Sequence, residues 1–172
     1  MLQKLLIKKF PRKRKIVVRK EFIEALKIIK EKLKDTEIRW VLVGSSSLAL
    51  QGVALEPNDI DILTDKEGAF EINKLFKEYE VKPVKFKRSE HLESYLGEFR
   101  INGVKVEVMG DLKEKEGNGW KSLSNRLVSP KIVEIEGMQI PVSNLEEQLK
   151  SYEKMGTPEA GIKVKKIKEV LG

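Results

Sequence analysis

The sequence predicts an α/β domain: a short mixed sheet flanked by helices and closed by a helical pair at the C-terminus. Three observations carry this. A wholly apolar strand, Trp40–Val43, runs straight into Gly44-Ser45. A second strand follows in which acids and isoleucines alternate, Asp59-Ile60-Asp61-Ile62. Around these lie segments with apolar residues at helical spacing, at 21–34 and again after residue 143. With 172 residues, 40% of them hydrophobic, the chain can bury one core. Residues 21–172 are expected to form a single domain, with a core over 37–142 and closing helices over 143–172.

Residues 1–20 hold nine Lys/Arg and no acid, so they predict a basic arm, extended or partly disordered around Pro11, with possible contact to RNA or another polyanion. The remaining residues carry 25 basic against 27 acidic side chains, so the net charge of +7 describes the leader and not the body. Phe22, Ile23, Leu26, Ile28, Ile29 and Leu33 fall close to helical spacing and make an amphipathic helix of 21–34, and 38–43 is the first buried strand. Ser45, Ser46 and Ser47 open a short helix that Gln51-Gly52 ends; serines there cap helices as readily as they meet phosphate.

Thr64-Asp65 starts a helix over 66–79, with Phe70, Leu75 and Phe76 expected in the core. Residues 81–87 alternate as a half-exposed strand, and His91 sits in a polar linker. Asn102-Gly103 is a strong two-residue hairpin turn, pairing Ile101 with Val104, Phe99 with Val106 and Glu98 with Glu107. Two acids opposed across a ladder repel, and a nearby cation would relieve them. By itself Glu107 reads equally well as an exposed strand acid, and Asp111 as a turn or cap residue after Gly110. The polar stretch 111–131 is expected to be a mobile loop, in which Trp120 either stacks on a base or anchors the chain. A hairpin over 132–142 with Pro141 at an edge, a capping box at Ser143-Asn144-Leu145-Glu146, a stop at Gly156 and a Thr157-Pro158 cap complete the chain.

The chemistry is bounded by what is absent. With no cysteine and a single histidine, thiolate nucleophiles and Cys/His zinc clusters are excluded, leaving carboxylates, hydroxyls, amines and backbone. No apolar run approaches a membrane span and no secretory leader is visible, so a cytoplasmic protein is expected. The 35% of charged residues is a balance common in proteins from hot environments. Strand geometry puts Asp59 and Asp61 on one side, about 6–7 Å apart, while Ile60 and Ile62 point into the core. Such a pair suits a hard divalent cation, Mg²⁺ in particular, and Gly44-Ser45 lets backbone approach an anion.

An apolar strand, Gly44-Ser45, the thirteen residues 46–58 and then Asp59-Ile60-Asp61-Ile62 resemble the signature of the nucleotidyltransferase superfamily, the polymerase-beta-like fold. LVGSSSLALQGV, NDIDILTDKEGAFEI and VKVEVMGD resemble a small prokaryotic branch of it, from about Glu21 to the C-terminus. The resemblance implies transfer of NMP from an NTP donor to an acceptor, a small molecule, an RNA or a protein, with release of pyrophosphate. It implies Asp59, Asp61 and Glu107 as catalytic carboxylates holding Mg²⁺, with a second ion possible. It assigns Gly44, Ser45 and Ser46 to the nucleotide, and Lys154, near a helix end, to the triphosphate. The rival expectation is a non-catalytic nucleotide- or RNA-binding module of the same fold.

Overall fold

The computed structural model describes residues 4–9 and 15–172. Among these, the strands are β1 (Lys4–Lys9), β2 (Lys15–Arg19), β3 (Trp40–Val43), β4 (Asp59–Thr64), β5 (Glu80–Arg88), β6 (Leu92–Ile101), β7 (Val104–Glu116), β8 (Gly119–Ser122), β9 (Lys131–Ile135) and β10 (Met138–Val142). The helices are α1 (Lys20–Leu33), α2 (Gly44–Leu50), α3 (Lys66–Leu75), α4 (Leu145–Met155) and α5 (Pro158–Leu171). Strands β1 and β2 pair antiparallel by themselves. The others form one mixed sheet in the order β5-β6-β7-β4-β3-β10-β9, with β8 added beside β7.

The centre of the sheet explains its two faces. Strand β4 lies antiparallel to β3 and parallel to β7, so residues in register share a face. Leu42, Ile60, Ile62, Val106 and Val108 are wholly buried on one side, in a core completed by Phe22, Leu26 and Ile29 of α1 and Ile72 of α3. Val41, Val43 and Leu63 occupy the other side with Leu112, Leu123 and Leu127. Asp59 and Asp61 of β4 and Glu107 of β7 belong by register to that second side. The alternation that buries the isoleucines therefore delivers the carboxylates together.

Several elements form as the sequence predicts, for the predicted reasons. The Asn102-Gly103 hairpin pairs Ile101 with Val104, Phe99 with Val106 and Glu98 with Glu107. Thr157 caps α5 by accepting from the Ala160 amide, Pro158 begins it, and Gly156 ends α4 in the left-handed conformation. Asp111 caps α3 from another strand, its Oδ1 accepting from the Lys66 amide at 3.0 Å.

Elsewhere tertiary contacts override the local pattern. The basic arm is not a free tail: it contributes the β1–β2 ladder, and Ile16 and Val18 are only 1% exposed within the main core. Residues 1–3 and 10–14, including Arg12, Lys13 and Arg14 of the expected polyanion contact, lie outside the described residues. The helix expected over 66–79 stops at Leu75 and yields to a single 3-10 turn at Lys77–Tyr79. Phe76 is buried as expected, but Phe70 and Leu75 are exposed, and the Phe70 ring rests on Tyr95. The expected loop over 111–131 is mostly structured: β7 continues to Glu116, turns back into β8, and a 3-10 turn follows at Ser124–Leu127. Pro141 is not on an edge strand, since β9 lies outside β10; a proline is tolerated because β10 bridges β3 only at Val142. Asn144, not Ser143, caps α4, its side chain accepting from the Glu147 amide.

Helix α3 lies tight against β7 because Gly110 has no side chain. A Cβ there would fall 2.7 Å from the Ala69 Cβ and 2.8 Å from the Asp65 carbonyl oxygen. Gly110→Ala should therefore cost about 1–3 kcal/mol. Urea denaturation of the variant beside the parent measures it, and an unchanged midpoint would mean the helix can step away freely.

Candidate active site

In the parallel ladder Asp61 sits beside Glu107 and Asp59 beside Lys105, all half-buried on the face away from α1 and α3. Glu107 is turned onto Lys105, with an Oε1 to Nζ distance of 3.3 Å, and Lys105 Nζ is 3.8 Å from Glu98. The opposed acids of the β6–β7 hairpin are thus bridged by one lysine. Asp61 has no such relief. Burial first, then the charges of Glu107 and Asp59, push its carboxyl up to about 7, against the opposing pull of Lys163 and Lys105.

Gly44 makes this crowding possible. Its φ is +68°, and a Cβ would run into the Asp61 carboxylate. Its amide donates to Gln148 Oε1 at 3.0 Å, while Gln148 Nε2 donates to Ser47 Oγ at 2.9 Å and the Ser143 carbonyl at 3.1 Å. One buried side chain of α4 thereby clamps the turn after β3. Ser45 remains half-buried, with no hydrogen bond to its hydroxyl among the described residues. The Ser46 hydroxyl is fully buried and donates to the Val43 carbonyl at 3.0 Å, so its side chain is committed to the turn itself.

Lys154 points elsewhere. Its Nζ lies 3.1 Å from Glu114 and 3.4 Å from Glu116, outside the pocket that holds Asp61. Two lysines do line that pocket, Lys87 at the end of β5 and Lys163 of α5, and the Lys163 Nζ sits 4.9 Å over the Tyr152 ring. Tyr152 is itself raised to about 12, by burial first and then by the Asp61 charge. Lys163, Gln148 and Tyr152 went unread in the sequence. For Lys163 a signal existed: it lies three residues after Ala160 and four before Ile167, the two buried residues of α5, and so shares their inward face.

The pocket in front of Asp61 and Glu107 has a volume of about 440 Å³ and is walled by β6, β7, α4 and α5. Three carboxylates that repel one another and offer only hard oxygen atoms are a donor set that fits Mg²⁺. They are not closed into a ligand cluster: among the described residues no group of three His, Cys, Asp or Glu is arranged to hold a metal ion. The turn of Glu107 toward Lys105 accounts for that in part.

A mixed sheet with acids on adjacent parallel strands, a Gly-Ser turn before a short helix and a C-terminal helical pair is the fold of the nucleotidyltransferase superfamily. The family model for aminoglycoside-2''-adenylyltransferase matches residues 25–168, and the chain belongs to that family of nucleotidyl-transferring enzymes. Among solved structures it is similar to TM1012 of Thermotoga maritima, provisionally assigned as a nucleotidyltransferase, at 40% identity over 87% of this chain and 93% of that one, with a TM-score of 0.77. It shares the fold of the lincosamide antibiotic adenylyltransferase LnuA, solved with lincomycin bound, at 15% identity, 88% and 96% coverage and a TM-score of 0.56. It also shares that of ANT(2'')-Ia, solved with adenylyl-2''-tobramycin, at 11% identity, 88% coverage of each chain and a TM-score of 0.51. A comparison with curated proteins finds no match.

The raised Asp61 carboxyl has a thermodynamic consequence. Its native pKa of about 7 exceeds the ordinary value of 3.8, so the native state binds this proton more tightly, and stability falls as pH rises from about 4 to about 7. Asp61→Asn should therefore match the parent near pH 4 and exceed it by about 2–4 kcal/mol at pH 8 without Mg²⁺. Thermal melts across that range decide it; a variant less stable than the parent at pH 8 would show that Asp61 is not strained by its neighbours.

Proposed function

We propose that the protein is a Mg²⁺-dependent nucleotidyltransferase that moves NMP from an NTP to a hydroxyl group of a small-molecule acceptor and releases pyrophosphate. The observation that carries this is the Asp61–Glu107 register beside Gly44. Membership of the adenylyltransferase family and the antibiotic-bearing neighbours support a nucleotide donor and a small acceptor.

In this reading Asp59, Asp61 and Glu107 hold the ion, and a second ion can share them. When bound, Mg²⁺ neutralises charge developing on the transferring phosphate. The Gly44-Ser45 turn receives the β and γ phosphates. Since the Gly44 amide is engaged by Gln148, the Ser45 hydroxyl and amide are the free donors of that turn. Lys163 faces the same space without an ion-pair partner among the described residues, and we assign it the triphosphate contact in place of Lys154. Glu107 takes the acceptor proton as the hydroxyl oxygen bonds to the α-phosphorus. The bond from that phosphorus to the bridging oxygen breaks on the opposite side, and pyrophosphate leaves with the electron pair.

Transfer of label from α-labelled NTP, with each of the four NTPs and a panel of hydroxyl-bearing small molecules, tests the reading. Asp61→Asn should lower turnover at least a hundredfold with the fold intact by circular dichroism, as should chelation of Mg²⁺. Lys163→Ala should raise KM for the NTP about tenfold, while Lys154→Ala leaves it within twofold. Parent-rate transfer by Asp61→Asn would refute the site.

A further inference from the structure

We infer that the acceptor taken up beside Asp61 and Glu107 is an uncharged alcohol with an apolar body, and not a polycation; this rests on the nucleotidyl-transfer reading above. In-line displacement fixes the side from which an acceptor comes. If the leaving pyrophosphate lies over the Gly44-Ser45 turn, the attacking hydroxyl enters across Glu107, from the β6–β7 side. There the pocket is walled by Leu92, Leu96, Met109, Leu112, Leu123 and Met155. Leu112 and Leu123, with Leu92 and Met109 against them, belong to the apolar cluster on this face of the sheet. The pocket of about 440 Å³ is shared with the groups assigned to the nucleotide, Gly44, Asp61 and Lys163, and its apolar end recognises a small molecule through surface taken out of water.

The charged groups around this pocket exclude a polycation. An acceptor rich in ammonium groups needs acids free to meet them, and the two further acids in the wall are already taken. Glu93, 5% exposed, accepts from Arg88 Nε at 2.7 Å and has Lys113 Nζ 3.7 Å away on its other oxygen. Glu114, 6% exposed, is held by Lys154 at 3.1 Å. Asp61 and Glu107 are committed to the reaction. Lys87 meanwhile lines the pocket with no ion-pair partner among the described residues, and its field opposes a positively charged ligand, as does that of Lys163 until a triphosphate meets it. Belonging to a family named for an aminoglycoside reaction therefore does not carry its acceptor to this chain.

The alkyl β-D-glucosides from methyl to octyl probe the pocket, since they keep one uncharged polyol head and lengthen only the apolar part. Calorimetry on the full chain at 0.15 M salt, with and without Mg²⁺ and a non-hydrolysable ATP analogue, should show affinity rising about three- to fourfold per added CH₂. Tobramycin should bind at least tenfold more weakly than the hexyl compound. Met155→Lys should flatten the series without changing the affinity for Mg²⁺ and the ATP analogue. Lys154→Ala, which uncovers Glu114, should strengthen tobramycin binding at least threefold in a salt-sensitive way. The inference is overturned by affinity independent of chain length, by tobramycin binding more tightly than the glucosides, or by mutual exclusion of glucoside and ATP analogue, which would make this the base pocket. Failure of the parent to bind Mg²⁺ with the ATP analogue would instead sink the transfer reading and with it the role of acceptor; the glucoside series, read without nucleotide as well, separates that failure from failure of the apolar pocket.

Discussion

Two like charges held side by side in a parallel ladder set the terms for the rest of this molecule. The register that brings Ile60 next to Val106 and Ile62 next to Val108 in the core brings Asp61 next to Glu107 on the other face. A slip of one residue would bury the acids and expose the isoleucines, so the apolar core enforces the repulsion. The rest of the site accommodates it. Lys105 takes Glu107, Lys163 faces Asp61 across the pocket, and Gly44 withdraws its side chain so that the carboxylate fits beneath the turn. What stays unrelieved is Asp61, the group a divalent cation would satisfy most.

The C-terminal helices are fastened to this arrangement by few but specific contacts. Gln148 ties α4 to the Gly44 amide, to Ser47 and to the Ser143 carbonyl, and Gln51 reaches the same carbonyl at 2.8 Å. Each is a buried polar group whose loss would leave partners unsatisfied, so the cluster fixes position more than it adds stability. Through it the turn after β3 is tied to α4, the helix that carries Tyr152. Arg126, buried and lowered by its burial, adds a second clamp, donating to Ser151 Oγ at 2.6 Å and to the Glu147 carbonyl at 3.3 Å.

Local chemistry made the carboxylate side of the site legible. Alternation announced Asp59 and Asp61, and the Asn102-Gly103 turn fixed the β6–β7 register down to Glu98 and Glu107, because a two-residue hairpin leaves no freedom in pairing. The parallel partnership of β4 and β7 is another matter. It joins segments some forty-five residues apart, and the resemblance to a known motif supplied it, not periodicity. Gln148 and Lys163 were hidden for the same reason: each acts across about a hundred residues, on the Gly44 turn and on Asp61, and each reads locally as a solvated helix residue. Phe70 and Leu75 misled in the opposite sense, since an apolar residue on a helix need not be buried when a neighbouring ring such as Tyr95 offers it partial cover.

The long strand β7 shows how one backbone feature couples the halves of the pocket. After Gly110 the ladder to β6 slips, Tyr95 opposing Gly110 while Glu93 opposes Lys113, and Asp111 takes the left-handed conformation with φ of +50°. Such a bulge inverts the alternation, so Leu112 and Glu114 join Glu107 and Met109 in lining the pocket, where a regular strand would have turned them away. The same residue caps α3, so the strained backbone is anchored by its own side chain. Up to Met109 the strand carries Glu107 beside Asp61; beyond the bulge it builds the apolar wall of the same pocket with Leu112. Beyond the bulge β7 pairs with β6 one residue out of step, so that segment is built apart from the pairing that holds Asp61 beside Glu107.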